Sequence, residues 1–199
     1  MKPFAPVSAV AMPFAMPNLD TDQLFPARFL SRPRGDGYGD CLFKDLRSHA
    51  DGAPVPDFIL NHPAYHAAEI IVGERNFGCG SSREHAVWAL VDYGFRVAVA
   101  PSFGDIFYAN GLKNGLLPVV LPAEIVSNLL GMLAGNVQAT VAVDLAEQRV
   151  VLPDGTAHYF DIDSFSKHCL LQGIDELDFT LSQADRISAF ENQLENENS

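Results

Sequence analysis

Residues 78–85 read Gly-Cys-Gly-Ser-Ser-Arg-Glu-His, between an apolar run and a predicted helix. Two glycines let the backbone turn tightly and bring its N–H groups close to a ligand. A helix start adds unpaired N–H donors and partial positive charge, which suits an anion. Arg83 contributes a planar fork that matches a carboxylate or phosphate. With the Ser81 and Ser82 hydroxyls beside it, this is a place to hold a carboxylate while a neighbouring atom reacts. The same letters also satisfy the S-x-x-E capping box, with Ser81 as cap and Glu84 reaching back. One serine can cap while the other stays free, so both readings stand. Other chemistries fit worse. There is no G-x-x-x-x-G-K-[ST] phosphate loop, no G-x-S-x-G elbow and no lysine nearby. His62 with His66, at i and i+4, and His85 fall into no recognisable metal spacing.

The loop must be positioned by its neighbours. Glu69 to Gly73 has the apolar, β-branched content of a buried strand, and Arg83 to Tyr93 is apolar almost all round, so it predicts a mostly buried helix stopped by Gly94. Arg96–Ala100 follows as a strand. A helix comes next, with Ser102 and Asp105 in capping-box style at its start and Gly115 at its end. Leu116–Leu121 is another strand and Ala123–Leu133 another helix. This alternation predicts an α/β core with parallel pairing. Residues 1–40, rich in Pro and Gly, read as short strands joined by loops, with Val7–Ala11 one strand before Pro13. Ala139–Val143, Arg149–Leu152 and Thr156–Ile162 alternate as strands around the turn Pro153-Asp154-Gly155. Helices are predicted at Ser164–Leu171 and Ser182–Leu194, and the end from about residue 191 is a polar tail. The expected architecture is a single α/β domain over residues 1–199, a mixed sheet with flanking helices.

Composition narrows the classes. The chain has 199 residues, 48% hydrophobic and 19% charged, enough for one sizeable core. A net charge of -12 argues against a phosphate-backbone binder, so no nucleic-acid partner is expected. Cys41, Cys79 and Cys169 are three, widely spaced and without a CxxC. That argues against a disulfide framework and for a reducing compartment. Four thiolates are the usual need of an iron–sulfur cluster, so no cofactor is expected on this chain alone. The apolar stretch before Ala9-Val10-Ala11 is short and broken by Pro3 and Pro6, which disfavours a signal peptide. Runs of ~18 apolar residues are missing, so no membrane span is expected. A cytoplasmic protein is the reading.

Taken together, these segments resemble a known family. Glu74 to Ala86 looks like the signature of the small subunits of isopropylmalate isomerase, and its Gly-Ser-Ser-Arg-Glu-His core is similar to the swivelling C-terminal domain of aconitase. Asn18-Leu19-Asp20-Thr21-Asp22-Gln23-Leu24-Phe25-Pro26, Ala100 to Tyr108 with Leu116-Leu117-Pro118, and His168-Cys169-Leu170 to Gly173 match further family segments in the expected order. The resemblance implies a swivelling β/β/α fold that closes over a large subunit carrying a [4Fe–4S] cluster. It implies a hydro-lyase of leucine biosynthesis, which dehydrates 2-isopropylmalate and rehydrates the product to 3-isopropylmalate. By position, Ser81 would be the base, Arg83 would bind a substrate carboxylate with help from Ser82, and Asp22 would sit at the same site. A serine hydroxyl is a poor base, and its alkoxide needs N–H donors and positive charge, which this turn supplies. The leaving hydroxide needs a Lewis acid for which this sequence has no ligands, so an obligate large-subunit partner and a small diacid substrate are expected.

The chain departs from the family between Arg28 and Tyr38. Bacterial members tend to read Arg-Thr-Gly before an aromatic; here the text is Arg32-Pro33-Arg34-Gly35-Asp36-Gly37-Tyr38. Arg34, or else Arg32, is the candidate for the second carboxylate, and the preference for an isopropyl side chain is open. The rival readings are a sister dehydratase acting on methylmalate or citraconate, dimethylmalate or homoaconitate, and a non-catalytic anion-binding module. Phe29 and Leu30 favour an alkyl-bearing substrate over a third carboxylate.

Overall fold

Alternating residues of the predicted strands do face two different cores. The structure, a computed structural model, describes the backbone of residues 1–197 and the side chains of residues 1–191. Seven strands make one sheet: β1 (Val7–Phe14), β2 (Ile70–Gly73), β3 (Val97–Ala100), β4 (Leu117–Val120), β5 (Thr140–Asp144), β6 (Arg149–Val151) and β7 (Ala157–Tyr159). Their spatial order is β4-β3-β2-β1-β5-β6-β7. From β4 to β1 the pairing is parallel, and from β1 to β7 antiparallel. Residues that are fully apolar in β2 and β3 reflect burial on both faces, as parallel strands require.

The helices are α1 (Thr21–Leu24), α2 (Lys44–Arg47), α3 (Glu84–Tyr93), α4 (Asp105–Asn114), α5 (Ala123–Gly135), α6 (Ser164–Gln172), α7 (Glu176–Ser182) and α8 (Ala184–Glu197). On one face, Met12, Phe14, Ile71, Ala98 and Ala100 pack with Ala86, Val87 and Leu90 of α3 and with the aromatic residues of segment 24–65. On the other, Val7, Ala11, Ile70, Val72, Val97 and Val99 pack with Val126, Leu129 and Leu133 of α5 and Leu170 of α6. Gly94 and Gly115 end α3 and α4 as expected, with positive φ.

Several expectations are corrected. Residues 1–40 hold one strand rather than several, and it runs on through Pro13, which lies opposite Val72. Pairing with β5 ends at Val10, so one side of β1 is unpaired by Pro13 and tolerates a residue without an N–H. Segment 27–65 holds 3-10 turns at Ala27–Phe29, Tyr38–Cys41, Ile59–Asn61 and Pro63–Tyr65 around the short helix α2. Neither serine capping box forms. The N-cap of α3 is Arg83, without a side-chain bond, and Glu84 instead accepts from Asn114 Nδ2 (2.7 Å). The N-cap of α4 is Gly104, and Ser102 Oγ accepts from the Asn76 N–H (2.8 Å). In both places a tertiary partner takes the group that a local cap would have used. The acidic stretch after Asp175 begins as α7 and continues as α8 through the polar end to Glu197. No helix among the described residues is long and apolar enough to cross a membrane.

Candidate active site

Because β1 and β2 are parallel neighbours, their C-terminal ends lie side by side. The chain leaving β1 enters Asn18–Phe25, and the chain leaving β2 enters residues 74–83. These two excursions lace together. Asn18 N–H donates to Arg75 O (2.9 Å), Gly78 and Cys79 N–H donate to Leu19 O (2.8 and 3.1 Å), and Thr21 N–H donates to Cys79 O (2.8 Å). Loop 100–104 joins from β3: Phe77 N–H donates to Ser102 O (3.0 Å) and Gly104 N–H to Phe77 O (2.9 Å). Three strand ends thus frame the Gly78–Arg83 turn.

Asp20, Thr21 and Asp22 each do something different to that turn. Asp20 caps α1, accepting from Asp22 N–H (2.6 Å), while Gln23 accepts from Asp20 N–H (2.9 Å) in a reciprocal box. Gly80 sits at φ +96°, and a Cβ there would lie 2.1 Å from Asp20 Oδ2, so any other residue must strain the backbone and displace that carboxylate. Thr21 Oγ1 donates to Ser81 O (2.9 Å) from a buried position. Asp22 accepts from Ala27 N–H (2.8 Å) and from Arg83, whose guanidinium also donates to Phe25 O (3.3 Å). The Arg83 bond, aided by the Ala27 amide, holds the Asp22 carboxyl below its ordinary pKa. The Arg83 side chain is only 17% exposed, so its fork is oriented before any ligand arrives.

Ser81 and Arg83 line a cavity of about 260 Å³ with Thr21, Asn76, Cys79 and Phe107. Ser82 is exposed on the same turn. Among the described residues, the Ser81 and Ser82 N–H groups have no acceptor within the chain. The arrangement therefore offers free N–H donors, two hydroxyls and an oriented guanidinium to an anion. Burial, and then the charge of Asp20, push the Cys79 thiol above its usual pKa, so it stays protonated beside them.

Arg34 is elsewhere. It forms a two-pronged ion pair with Asp92 (2.8 and 2.7 Å) and lies over the Trp88 ring. Asp92 lies nine positions along the chain from Arg83, the N-cap of α3, roughly 13 Å at ~1.5 Å per residue. Arg34 and Tyr38 line a second cavity, of about 620 Å³, at that far end with Asp40 and His66. Arg32 points to Cys41 Sγ (3.3 Å). Ser81, Ser82, Arg83 and Asp22 are thus gathered; Arg34 and Arg32 are not. Asp20 and Thr21, the organisers of the turn, escaped the site reading, although D-x-x-Q at 20–23 is a capping-box signal.

A profile of the aconitase C-terminal domain matches residues 1–124, and one described as LeuD_N matches residues 132–164. The 3-isopropylmalate dehydratase small subunit of Paramagnetospirillum magneticum is 49% identical over 191 residues, covering 96% of this chain and 95% of its own. The protein of the same name from Chloroflexus aurantiacus is also 49% identical, with the same coverage. The chain belongs to the 3-isopropylmalate dehydratase small-subunit family. A crystal structure of 3-isopropylmalate dehydratase (leuD) from Methanocaldococcus jannaschii superposes with a TM-score of 0.66. It is 22% identical and covers 94% of this chain and 99% of that one, so the fold is shared over nearly the whole of both chains. The expected mixed-sheet α/β fold of the aconitase swivel domain is the fold observed.

Proposed function

We propose that this chain, as one swivel domain over residues 1–199, is the small subunit of a cytoplasmic 3-isopropylmalate dehydratase. It pairs with a large subunit and interconverts 2- and 3-isopropylmalate in leucine biosynthesis. The observation that carries the site assignment is the Asp22–Arg83 pair beside Ser81, which sets a cation and free N–H donors around one hydroxyl. Ser81 removes the proton from the carbon next to a substrate carboxylate. Arg83, Ser82 and the turn's N–H groups bind that carboxylate and stabilise the serine alkoxide. The proton returns from Ser81 when water adds back.

The chain's own thiols do not fit an iron–sulfur cluster. Cys41 is buried in the core on one face of the sheet, Cys169 is buried on α6, and Cys79 is in the site turn. Among the described residues no group of three metal-ligating side chains gathers. We therefore assign the [4Fe–4S] cluster to the large subunit. Arg34 is the candidate for the second carboxylate only if it gives up Asp92, and Arg32 only if it leaves Cys41.

The test is anaerobic co-expression with a large subunit, followed by ultraviolet detection of the unsaturated intermediate from 2-isopropylmalate and from citramalate. Turnover of the isopropyl compound only with both chains present is expected, with loss of turnover in Ser81→Ala. Preference for citramalate would keep the mechanism and move the substrate to a sister enzyme. Full activity in Ser81→Ala would remove the base assignment.

A further inference from the structure

Thr21 is buried, 2% exposed, and its hydroxyl reaches across 60 residues of sequence to the Ser81 carbonyl (2.9 Å). Its own N–H is already used on Cys79 O (2.8 Å). We propose that Thr21 is a positioning residue of the dehydratase, fixing the Ser81–Ser82 peptide so that its N–H faces the substrate. This inference rests on the function proposed above.

A trans peptide is planar, with its C=O and N–H pointing in opposite directions. Anchoring the Ser81 oxygen on a buried hydroxyl turns the Ser82 N–H away from Thr21, towards the exposed side of the turn. That N–H has no acceptor among the described residues, so it is free for an anion. Without the anchor this peptide can rotate about Ser81 ψ and Ser82 φ, because among the described residues neither its C=O nor its N–H has another partner. A rotated peptide would present the Ser81 carbonyl oxygen where the carboxylate and the alkoxide need a donor. Arg83 is held independently by Asp22, so losing Thr21 leaves the main carboxylate contact in place. The deficit then falls on the chemical step rather than on substrate binding.

The experiment uses the reconstituted two-subunit enzyme with wild type, Thr21→Val, Thr21→Ser and the pair Ser81→Ala and Ser81→Ala/Thr21→Val. Circular dichroism and co-purification with the large subunit check folding, and Thr21→Ala replaces the valine variant should that one not fold. With 2-isopropylmalate, Thr21→Val is expected to lower kcat by about ten- to a hundredfold, the scale of one misplaced donor, with KM within about twofold. Thr21→Ser, which restores the hydroxyl, is expected to recover kcat to within about threefold of wild type. In the Ser81→Ala background the valine change is expected to cost less than about twofold, since the base it positions is gone. An unchanged kcat in Thr21→Val overturns the proposal, as does a loss that serine fails to restore or an effect confined to KM. A wild-type complex without turnover would instead remove the functional reading beneath it.

Discussion

Replacing Gly80 by alanine should damage this protein more than the same change at Gly155, and the difference is calculable. Both glycines have positive φ, +96° and +87°, so both alanine variants carry backbone strain, about 1–2 kcal/mol each. Around Gly155 nothing lies within 4 Å of a new Cβ. At Gly80 the Cβ would meet Asp20 Oδ2 at 2.1 Å and Cγ at 2.7 Å. The carboxylate must move by more than ~1 Å to restore ordinary contact. Moving it gives up the cap on Asp22 N–H, worth ~1 kcal/mol with a range of about 0.5–2. Gly80→Ala is therefore expected to cost about 1.5–4 kcal/mol against about 1–2 for Gly155→Ala. For a chain of this size the gap of about 0.5–2 kcal/mol is roughly 1–8 °C in Tm. Thermal denaturation followed by circular dichroism reads it directly. Adding Asp20→Ala to Gly80→Ala should then cost less than the sum of the single changes, because the clashing group is gone. Equal Tm values for the two glycine variants, or strict additivity with Asp20→Ala, would refute the packing on which the estimate rests.

Four further outcomes are expected. The Asp22 carboxyl is depressed below its ordinary pKa of 3.8 by Arg83, so its stabilisation is present above that value and is lost as pH falls through the lower folded pKa. The stability gap between wild type and Asp22→Asn should accordingly be full at neutral pH, narrow below about pH 5 and close in stronger acid, as urea melts across pH will report. Tyr38 is buried against Phe25, its hydroxyl has no partner among the described residues, and burial pushes its pKa up to about 12. Tyr38→Phe should then be neutral or stabilising by up to ~1 kcal/mol in urea midpoints, and a clear loss would mean the hydroxyl is bonded. Arg83→Lys should lower kcat/KM by about a hundredfold or more because an ammonium cannot reproduce the fork. Arg34→Lys should cost less than about tenfold if Arg34 stays on Asp92, and steady-state kinetics on both variants decides this.

The middle of the fold was legible because its signals are local. Gly94 and Gly115 end their helices where a C-terminal glycine should, and the apolar runs at 70–73 and 97–100 admit only buried strands. Ser81, Arg83 and Asp22 were readable as a group through family resemblance, and the chain does bring them together. What stayed hidden depends on partners far away in sequence. Ser81 matched the capping pattern in every letter, yet its turn is held by Thr21, 60 positions earlier, and Glu84 is drawn off to Asn114 on α4. In segment 27–65 short 3-10 turns and the single turn of α2 are held by aromatic pairs, Phe25 on Tyr38 and Phe43 on Phe58, rather than by any helical repeat. Arg34 showed a cation in the right stretch of text, but not that Asp92 would claim it.

The parallel pairing of β1 with β2 also has a consequence for how such a protein can change. The excursion from Pro26 to Glu69 leaves the sheet beside one half of the active turn and returns at the strand that delivers the other half. Its anchors lie on the frame itself: Phe43 N–H bonds Leu24 O (2.8 Å), and Arg96 and Val97 N–H bond Glu69 O (2.8 and 3.1 Å). Within the excursion, residues 31–37 are exposed and lie outside the core, so changes of length there need not move Ser81 or Arg83. The turn that holds Ser81 and Arg83 and the exposed stretch at 31–37 can thus vary separately in sequence.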